Sequence, residues 1–435
     1  MAVQPILGLD IGTSRIKFVE ARLRGSAVFI TNAGIGLTPR DSIANGVIVD
    51  PESLGAAVRQ LLDQHGVKTK AVISSVASQS SLVVRPIEVP RMTRQELAQT
   101  MQWEVERHIP FAASEVVMDF QPLVDPDELP PEAQNMDVLL AVAQEDMINA
   151  HVEALLRAGL DPQAIDVEPL CACRSLIDIN RDQGSYEQTY ALLNIGATTT
   201  DLSIIRGGLL SFTRPVPLAG DNITNAIAEA LGYEFHEAER VKLEEGLLYV
   251  QGGAAPERPG LPGQTAGPPA EEPIMRSAAE EEEQAAPRRV FDLSEELPPP
   301  TRAAPPPPTP PAAEEPAGHL LPAIHAPGVG STARQVYEAL LPTAVELVGE
   351  VRRSVEYYAN RFPEARVDRV LLFGGTGKLP NLAEFLGNEV GMPVEIGNPF
   401  LRIEVDSGGV PPEIVAVDRC LMPVAVGLAL RDLMG

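Results

Sequence analysis

The sequence predicts an α/β protein with two similar domains that share a phosphate-binding cleft. Two segments, residues 6–20 and 191–206, have the same order of an apolar strand, a turn of glycine and hydroxyl residues, and a return strand. Ile11 in the first segment aligns on Ile195 in the second, 184 residues later, which favours an internal duplication. In a third segment, residues 367–377, a strand ends at a double glycine before a helix, a usual place for a nucleotide in an open α/β sheet.

The turn of the first hairpin has the chemistry of an anion site. Gly12 permits a close approach of the backbone, and the hydroxyl groups of Thr13 and Ser14 can donate hydrogen bonds to an anion. The Asp10 carboxylate at the strand end repels phosphate, but it can hold a magnesium ion that the phosphates also bind. One such hairpin alone is more often an ordinary turn, whereas the second copy and the third segment together favour a phosphate site.

Composition limits the classes of function. The chain of 435 residues is long enough for two or more domains, and its net charge of −26 argues against nucleic-acid binding. The cysteines Cys171, Cys173 and Cys420 have neither metal-ligand spacing nor an even number for disulfides, and they fit the reducing cytoplasm. No signal peptide and no apolar run of the roughly 20 residues that span a bilayer is evident, so we expect membrane contact only through a partner.

After a helix and a buried strand in the first domain, the pattern changes. Residues 82–165 alternate between strands and helices and predict a small α+β module inserted in the first domain. Thr93 and Glu96 have the spacing of a capping box at the start of its first helix. Trp103 lies off the apolar stripe of that helix, and two roles stay open for it, a core position or a contact with a partner.

The second half of the chain is interrupted by residues 252–330, which contain 19 of the 41 prolines. Acidic residues outnumber basic ones twelve to five there. Such a segment cannot bury enough apolar surface to offset its ordering entropy, which predicts a disordered Pro/Glu-rich loop. We expect a helix over residues 332–360, kinked or restarted at Pro342, and a final strand-and-helix unit over residues 414–433.

These motifs, in this order, resemble those of the superfamily of actin, the sugar kinases and the chaperone DnaK. Leu9–Thr13 is similar to the first phosphate motif of that superfamily, Asn194–Asp201 to the second, and Phe373–Pro380 to the adenosine motif. The inserted module, with Pro86–Pro90 and Glu104–Phe111, resembles the FtsA/PilM branch and within it the PilM-like type IV pilus assembly proteins. The resemblance covers the chain outside the Pro/Glu-rich loop.

The resemblance implies an actin-like (ribonuclease H-like) two-domain fold with a nucleotide cleft and a small α+β subdomain inserted in the first domain. The implied parts are subdomain 1A (residues 1–81 and 166–186), subdomain 1C (82–165), subdomain 2A (187–220 and 365–435), subdomain 2B (221–251 and 331–364) and the disordered loop (252–330).

The resemblance also implies that ATP and Mg²⁺ bind in the cleft. The residues it assigns to the nucleotide are Gly12, Thr13, Ser14, Lys17, Gly196, Ala197, Thr198, Glu239, Lys242, Gly374, Gly375 and Lys378. It assigns Asp10 to the magnesium ion, through water, and Glu168 to the positioning of the attacking water. Asn194 departs from the aspartate that ATP-hydrolysing relatives usually carry. An amide lacks the negative charge that a hard cation prefers, so we expect slow or no ATP hydrolysis.

For PilM-like proteins the resemblance implies a cytoplasmic scaffold at the inner face of the cell membrane. It would dock the N-terminal cytoplasmic peptide of the membrane protein PilN and join the pilus alignment complex, with self-association as a further expectation. Two alternatives stay open, an FtsA-like filament-forming cell-division protein and a metabolite kinase of the same superfamily.

Overall fold

The computed structural model describes residues 5–25, 27–77, 81–109, 112–130, 132–177, 183–249 and 331–433. These residues form sheets of six, five and three strands and a two-stranded ribbon, with helices packed around them. The loop expected over residues 252–330 lies outside the described residues. Within the described ranges, no helix combines the length and the apolar character needed to cross a membrane.

The strands are β1 Ile6–Ile11, β2 Arg15–Arg24, β3 Ala27–Leu37, β4 Ile43–Ala44, β5 Val47–Ile48, β6 Ala71–Val76, β7 Leu82–Pro90, β8 Val116–Pro122, β9 Asn135–Gln144, β10 Asp161–Val167, β11 Thr189–Ile195, β12 Thr200–Arg206, β13 Leu209–Val216, β14 Arg369–Phe373, β15 Val394–Ile396 and β16 Glu404–Val405. The helices are α1 Pro51–Gln64, α2 Arg94–His108, α3 Glu145–Arg157, α4 Glu168–Leu176, α5 Gln183–Glu187, α6 Gly220–Leu231, α7 Phe235–Glu245, α8 Ser331–Arg361, α9 Leu382–Val390, α10 Pro412–Ala416 and α11 Pro423–Leu430. Short 3₁₀ turns lie at Ala113–Glu115, Gly375–Lys378 and Arg419–Leu421.

The first sheet has the strand order β10-β6-β1-β2-β3-β16 and is covered on both faces. Successive side chains of a strand point to opposite faces, so neighbouring residues of β2 enter different layers. Phe18 packs with α1 and α3 on one face, whereas Val19 packs with α11 on the other. Both side chains are fully buried, which fixes the register of the hairpin that carries the first phosphate turn.

The second sheet has the strand order β13-β12-β11-β14-β15 and contains the second hairpin, β11–β12. Its register pairs Asn194 with Asp201, as the register of β1–β2 pairs Asp10 with Lys17. The two hairpins that the sequence predicts are therefore present, and their strand ends are paired in the same way.

The packing corrects two expected domain boundaries. β10 pairs in parallel with β6, so residues 161–165, which we expected in the inserted module, belong to the first sheet. β16 pairs with β3, and α11 packs on β1 and β2, so these two elements, which we expected in subdomain 2A, belong with the first sheet. Gly8 permits the approach of α11, because a Cβ at this position would lie 2.3 Å from the Ala425 carbonyl oxygen.

The inserted module is a three-stranded sheet of order β7-β9-β8, covered by α2. The expected capping box is confirmed. The Thr93 N–H donates to Glu96 Oε2 at 2.9 Å, and the Glu96 N–H donates to Thr93 Oγ1 at 3.3 Å. Trp103 is 74% exposed on α2, so the core role is wrong for it. The module also contacts the second sheet, because Thr213 Oγ1 donates to the Val84 carbonyl at 2.8 Å.

Two expectations for the second half of the chain need correction. α8 continues through Pro342 as one helix, so the proline does not restart it. Residues 412–433 contain α10, a 3₁₀ turn and α11 instead of a strand and a helix. Every residue of α11 is buried, because this short helix lies against the first sheet and α4.

Candidate functional site

A cleft of about 1150 Å³ is lined by residues from both of the larger sheets and from α4 and α7. Every residue that the resemblance assigns to the nucleotide, the metal or the attacking water lines it: Asp10, Gly12, Thr13, Ser14, Lys17, Glu168, Gly196, Ala197, Thr198, Glu239, Lys242, Gly374, Gly375 and Lys378. The fold thus brings these distant segments of the chain together at one cavity.

The two glycine and hydroxyl turns face each other across this cleft. Thr13 Oγ1 in the first turn lies 3.0 Å from Thr198 Oγ1 in the second, which is hydrogen-bond distance. Thr38 Oγ1 fixes the first turn by donating to the Gly12 carbonyl at 2.7 Å. Hydroxyl and backbone groups from both halves of the molecule therefore meet at one place, as a bound phosphate group requires.

Asp10 and Lys17 form an ion pair at the floor of the cleft. Their side chains lie opposite each other in the first hairpin, with Lys17 Nζ 2.6 Å from Asp10 Oδ2. The exposed fractions are 13% for the Lys17 side chain and 5% for the Asp10 side chain, so water screens this pair little. Gly12 leaves room for the ammonium group, because a Cβ there would lie 3.2 Å from Lys17 Nζ. Lys17 thus orients Asp10 and brings positive charge to the phosphate turn.

Glu168, the first residue of α4, lies beside this ion pair. Its Oε2 accepts a hydrogen bond of 3.0 Å from Asn194 Nδ2. Burial, and next the negative charges of Asp10 and Asp201, raise the pKa of Glu168 well above its usual range. A carboxyl group that keeps its proton at neutral pH is a poor general base.

Asp201, which the sequence analysis did not assign, does not line the cleft but lies close enough to Glu168 to affect its charge. It is 6% exposed, and neither of its carboxylate oxygens has a hydrogen-bond partner within the described ranges. Burial raises the pKa of Asp201 to about 7. A comparison of the two duplicated hairpins could have identified Asp201. The first hairpin pairs Asp10 with Lys17, and at the same positions the second hairpin pairs Asn194 with Asp201. The second hairpin therefore carries its acidic group on its second strand.

The Asp10 carboxylate, beside Glu168 in the cleft, fits a magnesium ion. Carboxylate oxygens are the ligand type that this hard cation prefers. The two unpartnered oxygens of Asp201 also favour a nearby cation, since a buried carboxylate is stable only when it is paired. In the described part of the chain, no three His, Cys, Asp or Glu side chains lie close enough together to hold a metal ion by themselves, so Asp10 would be its main protein ligand. A metal here would complete its shell with water and phosphate oxygens.

Lys242 is buried between α6 and α7. Its ammonium group donates to the Gly220 carbonyl at 3.1 Å and to Thr224 Oγ1 at 2.7 Å, and it lies 2.6 Å from Glu239 Oε2. These three contacts saturate the donors of the lysine. Lys242 therefore holds α6 against α7 and orients the Glu239 carboxylate, whose side chain is 37% exposed in the cleft.

The double glycine closes the other side of the cleft. Gly374 has a φ of +93°, and a Cβ there would lie 2.5 Å from Asn194 Oδ1, so only glycine fits. Thr376 Oγ1 donates to the Gly196 carbonyl at 3.0 Å and joins this loop to the second phosphate turn. Lys378 pairs with Asp418 at 2.6 Å.

His151 on α3 is a cleft residue that the sequence analysis did not single out. Its Nε2 lies 2.8 Å from Ser74 Oγ, and this hydroxyl donates to the Leu9 carbonyl at 2.6 Å. Because the hydroxyl gives its single hydrogen to Leu9, the imidazole Nε2 must carry a proton and donate to Ser74. Burial lowers the pKa of His151 to about 4, so the ring is neutral at pH 7. A lone histidine in a helical pattern gives no sequence signal for such a contact.

Two sequence families match the chain. Residues 8–249, more than half of the chain, match the family described as type IV pilus assembly protein PilM. Residues 191–414 match the family of the cell division protein FtsA. The two matches overlap over residues 191–249, which include most of the second hairpin, β13, α6 and α7.

Curated relatives of the chain include cell division proteins. FtsA of Bacillus subtilis (strain 168) is 24% identical over 264 residues, which cover 56% of this chain and 58% of the relative. FtsA of Escherichia coli (strain K12) is 24% identical over 258 residues, which cover 55% of this chain and 60% of the relative. The chain thus spans less than two thirds of the length of these relatives.

Among solved structures, the chain is similar to one described as the PilM-PilN type IV pilus biogenesis complex. The TM-score is 0.72 at 25% identity, and the likeness covers 98% of both chains. With the FtsA match, this likeness shows that the fold is the actin-like two-domain α/β fold.

Proposed function

The chain belongs to the family of the type IV pilus assembly protein PilM, and on this premise we propose that it is an ATP-binding scaffold of the pilus assembly platform. A role in type IV pilus assembly is supported by the family and by the likeness to the PilM-PilN complex. The nucleotide part rests on one observation, the meeting of two duplicated turns in one cleft at Thr13 and Thr198.

The proposed roles follow the positions of the residues in the cleft. The phosphates of ATP lie between the two turns, the ribose lies near Glu239, and the adenine lies toward the double glycine. The proposed nucleotide residues are Gly12, Thr13, Ser14 and Lys17 from the first hairpin, Gly196, Ala197 and Thr198 from the second, and Glu239, Gly374, Gly375 and Lys378 around the nucleoside. Asp10 serves Mg²⁺ through water, and Lys242 acts by holding Glu239.

We further propose that ATP turnover is slow or absent. Glu168 is the residue that we propose to position an attacking water, but burial and the neighbouring carboxylates raise its pKa, which favours its protonated form at neutral pH. Its Oε2 is also held by the Asn194 amide, which adds no negative charge for a metal. Both features weaken general-base catalysis at this position. A steady-state rate in the usual enzyme range of about 1–1000 s⁻¹ would contradict this part of the proposal.

Calorimetric titration with Mg-ATP tests the nucleotide proposal. We expect the wild-type protein to bind, and Asp10→Ala to bind at least about tenfold more weakly, because a metal-side carboxylate is lost. Asp63→Ala, which removes an exposed aspartate of α1 outside the cleft, is the matched control and should bind as wild type. A flat titration of folded wild-type protein removes the nucleotide function.

The partner that we propose is the N-terminal cytoplasmic peptide of PilN, bound between the first domain and the inserted module. A PilM-PilN complex is the assembly named for the similar solved structure, and α2 of the module offers the exposed Trp103 as a contact. In this role the protein works in the cytoplasm at the inner face of the membrane, within the pilus alignment complex. Self-association is a further proposal.

A pull-down with an immobilised PilN tail peptide tests the partner. We expect capture of the wild-type protein and no capture by a scrambled peptide of the same composition, each measured with and without Mg-ATP. Trp103→Ala should weaken capture, whereas Tyr357→Ala, which removes an exposed aromatic residue of α8 in the second domain, should not. Absence of capture in both nucleotide conditions rejects PilN docking.

A second candidate is an FtsA-like filament former. It is favoured by the FtsA family match over residues 191–414 and by the FtsA relatives. Sedimentation of the protein with Mg-ATP separates the two roles, since only a filament former appears in the pellet above a critical concentration.

A further inference from the structure

α3 contacts both the inserted module and the floor of the cleft. Met147, in its first turn, packs in the hydrophobic cluster that contains Val84 and Leu139 of the module. His151, four residues later, lies on the same face of the helix and contacts Ser74 in β6 of the first sheet. One face of this helix therefore touches the module at one turn and the first sheet at the next.

Ser74 connects His151 to the strand end that carries Asp10. In the parallel pairing of β1 with β6, Ser74 lies opposite Leu9, and both residues are fully buried. The Ser74 hydroxyl donates to the Leu9 carbonyl and accepts the imidazole proton of His151. Without the imidazole proton, the buried Ser74 hydroxyl no longer accepts a hydrogen bond, and the Ser74 rotamer is no longer fixed. The Leu9 carbonyl belongs to the peptide bond that leads directly into Asp10, so its position affects the carboxylate.

We propose that His151 is a positioning residue for Asp10, acting through Ser74 and the Leu9 carbonyl. The inference rests on the proposed magnesium-nucleotide function of the cleft. The chain of contacts ends at the Asp10–Lys17 ion pair, where Lys17 Nζ and Asp10 Oδ2 are 2.6 Å apart. Loss of this chain of contacts therefore weakens the magnesium-dependent part of ATP binding. The nucleoside side is unaffected, because Glu239 and Gly374 belong to elements of the second domain.

The test compares two dissociation constants for ATP on the full chain, one in excess Mg²⁺ and one in EDTA. Their ratio reports the magnesium-dependent part of binding. His151→Leu removes the proton donor and keeps an apolar side chain, whereas His151→Gln places an amide donor near the position of Nε2. We expect the ratio to fall about ten- to hundredfold in His151→Leu, as is typical when a residue behind a metal ligand is lost. Affinity in EDTA should not change, and His151→Gln should restore the ratio.

Ser74→Ala breaks the same chain of contacts at its centre and should reproduce the effect, which keeps the test decisive if His151→Leu does not fold. Ser354→Ala is the matched control, because Ser354 is also buried and its hydroxyl also donates to a backbone carbonyl, that of Glu350 at 2.8 Å in α8. An unchanged ratio in either folded variant overturns the positioning role while wild type still binds Mg-ATP. Absence of ATP binding in wild type overturns the role together with the nucleotide function.

Discussion

Thr13 Oγ1 and Thr198 Oγ1 lie 3.0 Å apart although 185 positions separate the two residues in the chain. Each threonine belongs to the turn of one of the two duplicated hairpins, so their contact joins the two halves of the molecule. A phosphate group between the turns would accept hydrogen bonds from both hydroxyls in place of the contact between them.

Replacing one of these hydroxyls should weaken nucleotide binding without a large effect on folding. Thr198→Val keeps the size of the side chain and removes a hydrogen-bond donor that contributes about 0.5–1.5 kcal/mol, so Mg-ATP affinity should fall by up to about tenfold. Calorimetry measures the change, and Thr332→Val on the exposed side of α8 serves as the control. Wild-type affinity in Thr198→Val contradicts a phosphate at this turn.

Asp201→Asn should stabilise the protein at neutral and higher pH. Burial raises the pKa of Asp201 to about 7 from 3.8, so the native state binds a proton more tightly than the unfolded state does. Its contribution to stability is therefore complete below pH 4 and is lost as the pH rises to 7. The neutral amide avoids this loss, which is worth up to about 4 kcal/mol above pH 7. Urea unfolding at pH 5 and pH 8 measures it.

The same substitution removes a carboxylate close to Glu168 of the cleft, so the gain in stability should accompany weaker Mg-ATP binding. Asp63→Asn, at an exposed position of α1, should change neither property. Equal stability of Asp201→Asn and wild type at pH 8 would show that Asp201 is paired in solution.

His151 should make the protein less stable in mild acid. Burial lowers the pKa of His151 to about 4 from 6.5, so the unfolded state binds a proton that the native state does not. The contribution of His151 to the free energy of unfolding is therefore fully present above pH 6.5. It is lost as the pH decreases to 4, by on the order of 3 kcal/mol. His151→Gln should flatten this part of the profile relative to wild type. Parallel profiles for the two proteins from pH 7 to pH 4 would contradict the burial of a neutral ring.

The sequence predicts the parts of the site that are local in the chain. Each hairpin carries its turn chemistry within about fifteen residues, so strand, glycine and hydroxyl pattern are visible together. Asp201 lies within the second hairpin segment, but its role depends on the cross-strand pairing with Asn194. That pairing is apparent only when the two hairpins are compared. His151 was not visible, because its contact with Ser74 joins residues that are 77 positions apart.

The domain boundaries were less predictable for the same reason. Parallel pairing of β10 with β6 and of β16 with β3 depends on strands that are distant in sequence, and short strands give little periodicity. α11 is apolar on all sides, so its pattern does not indicate which sheet it covers. Gly8 is a local sequence feature that reflects the contact between α11 and β1, since a glycine within a strand often marks the close approach of another backbone.

Gly8→Ala should therefore destabilise the fold. The new methyl group would meet the Ala425 carbonyl oxygen at 2.3 Å and the Ala429 nitrogen at 2.5 Å, both backbone atoms of a buried helix. We expect a loss of at least about 1–3 kcal/mol, the usual range for overpacking. Gly349→Ala in α8 is the matched control, because its Cβ would lie 3.5 Å from the nearest atom, Arg353 Nη1. That change should stabilise by up to about 1 kcal/mol. Similar thermal midpoints for the two variants would contradict the packing of α11 on β1.

Binding of the PilN peptide and of Mg-ATP should be coupled through α3, which packs on the module through Met147 and reaches the Asp10 strand through His151. Saturating peptide should change the Mg-ATP dissociation constant of the wild-type protein by about fivefold or more, and Mg-ATP should change peptide affinity by the same factor, because linkage is reciprocal. His151→Leu should reduce this coupling factor to about one, since α3 then loses its hydrogen bond to Ser74. Ser354→Ala should retain the wild-type coupling factor. A factor of one in wild type, measured by calorimetry in both directions, shows that the two sites are independent.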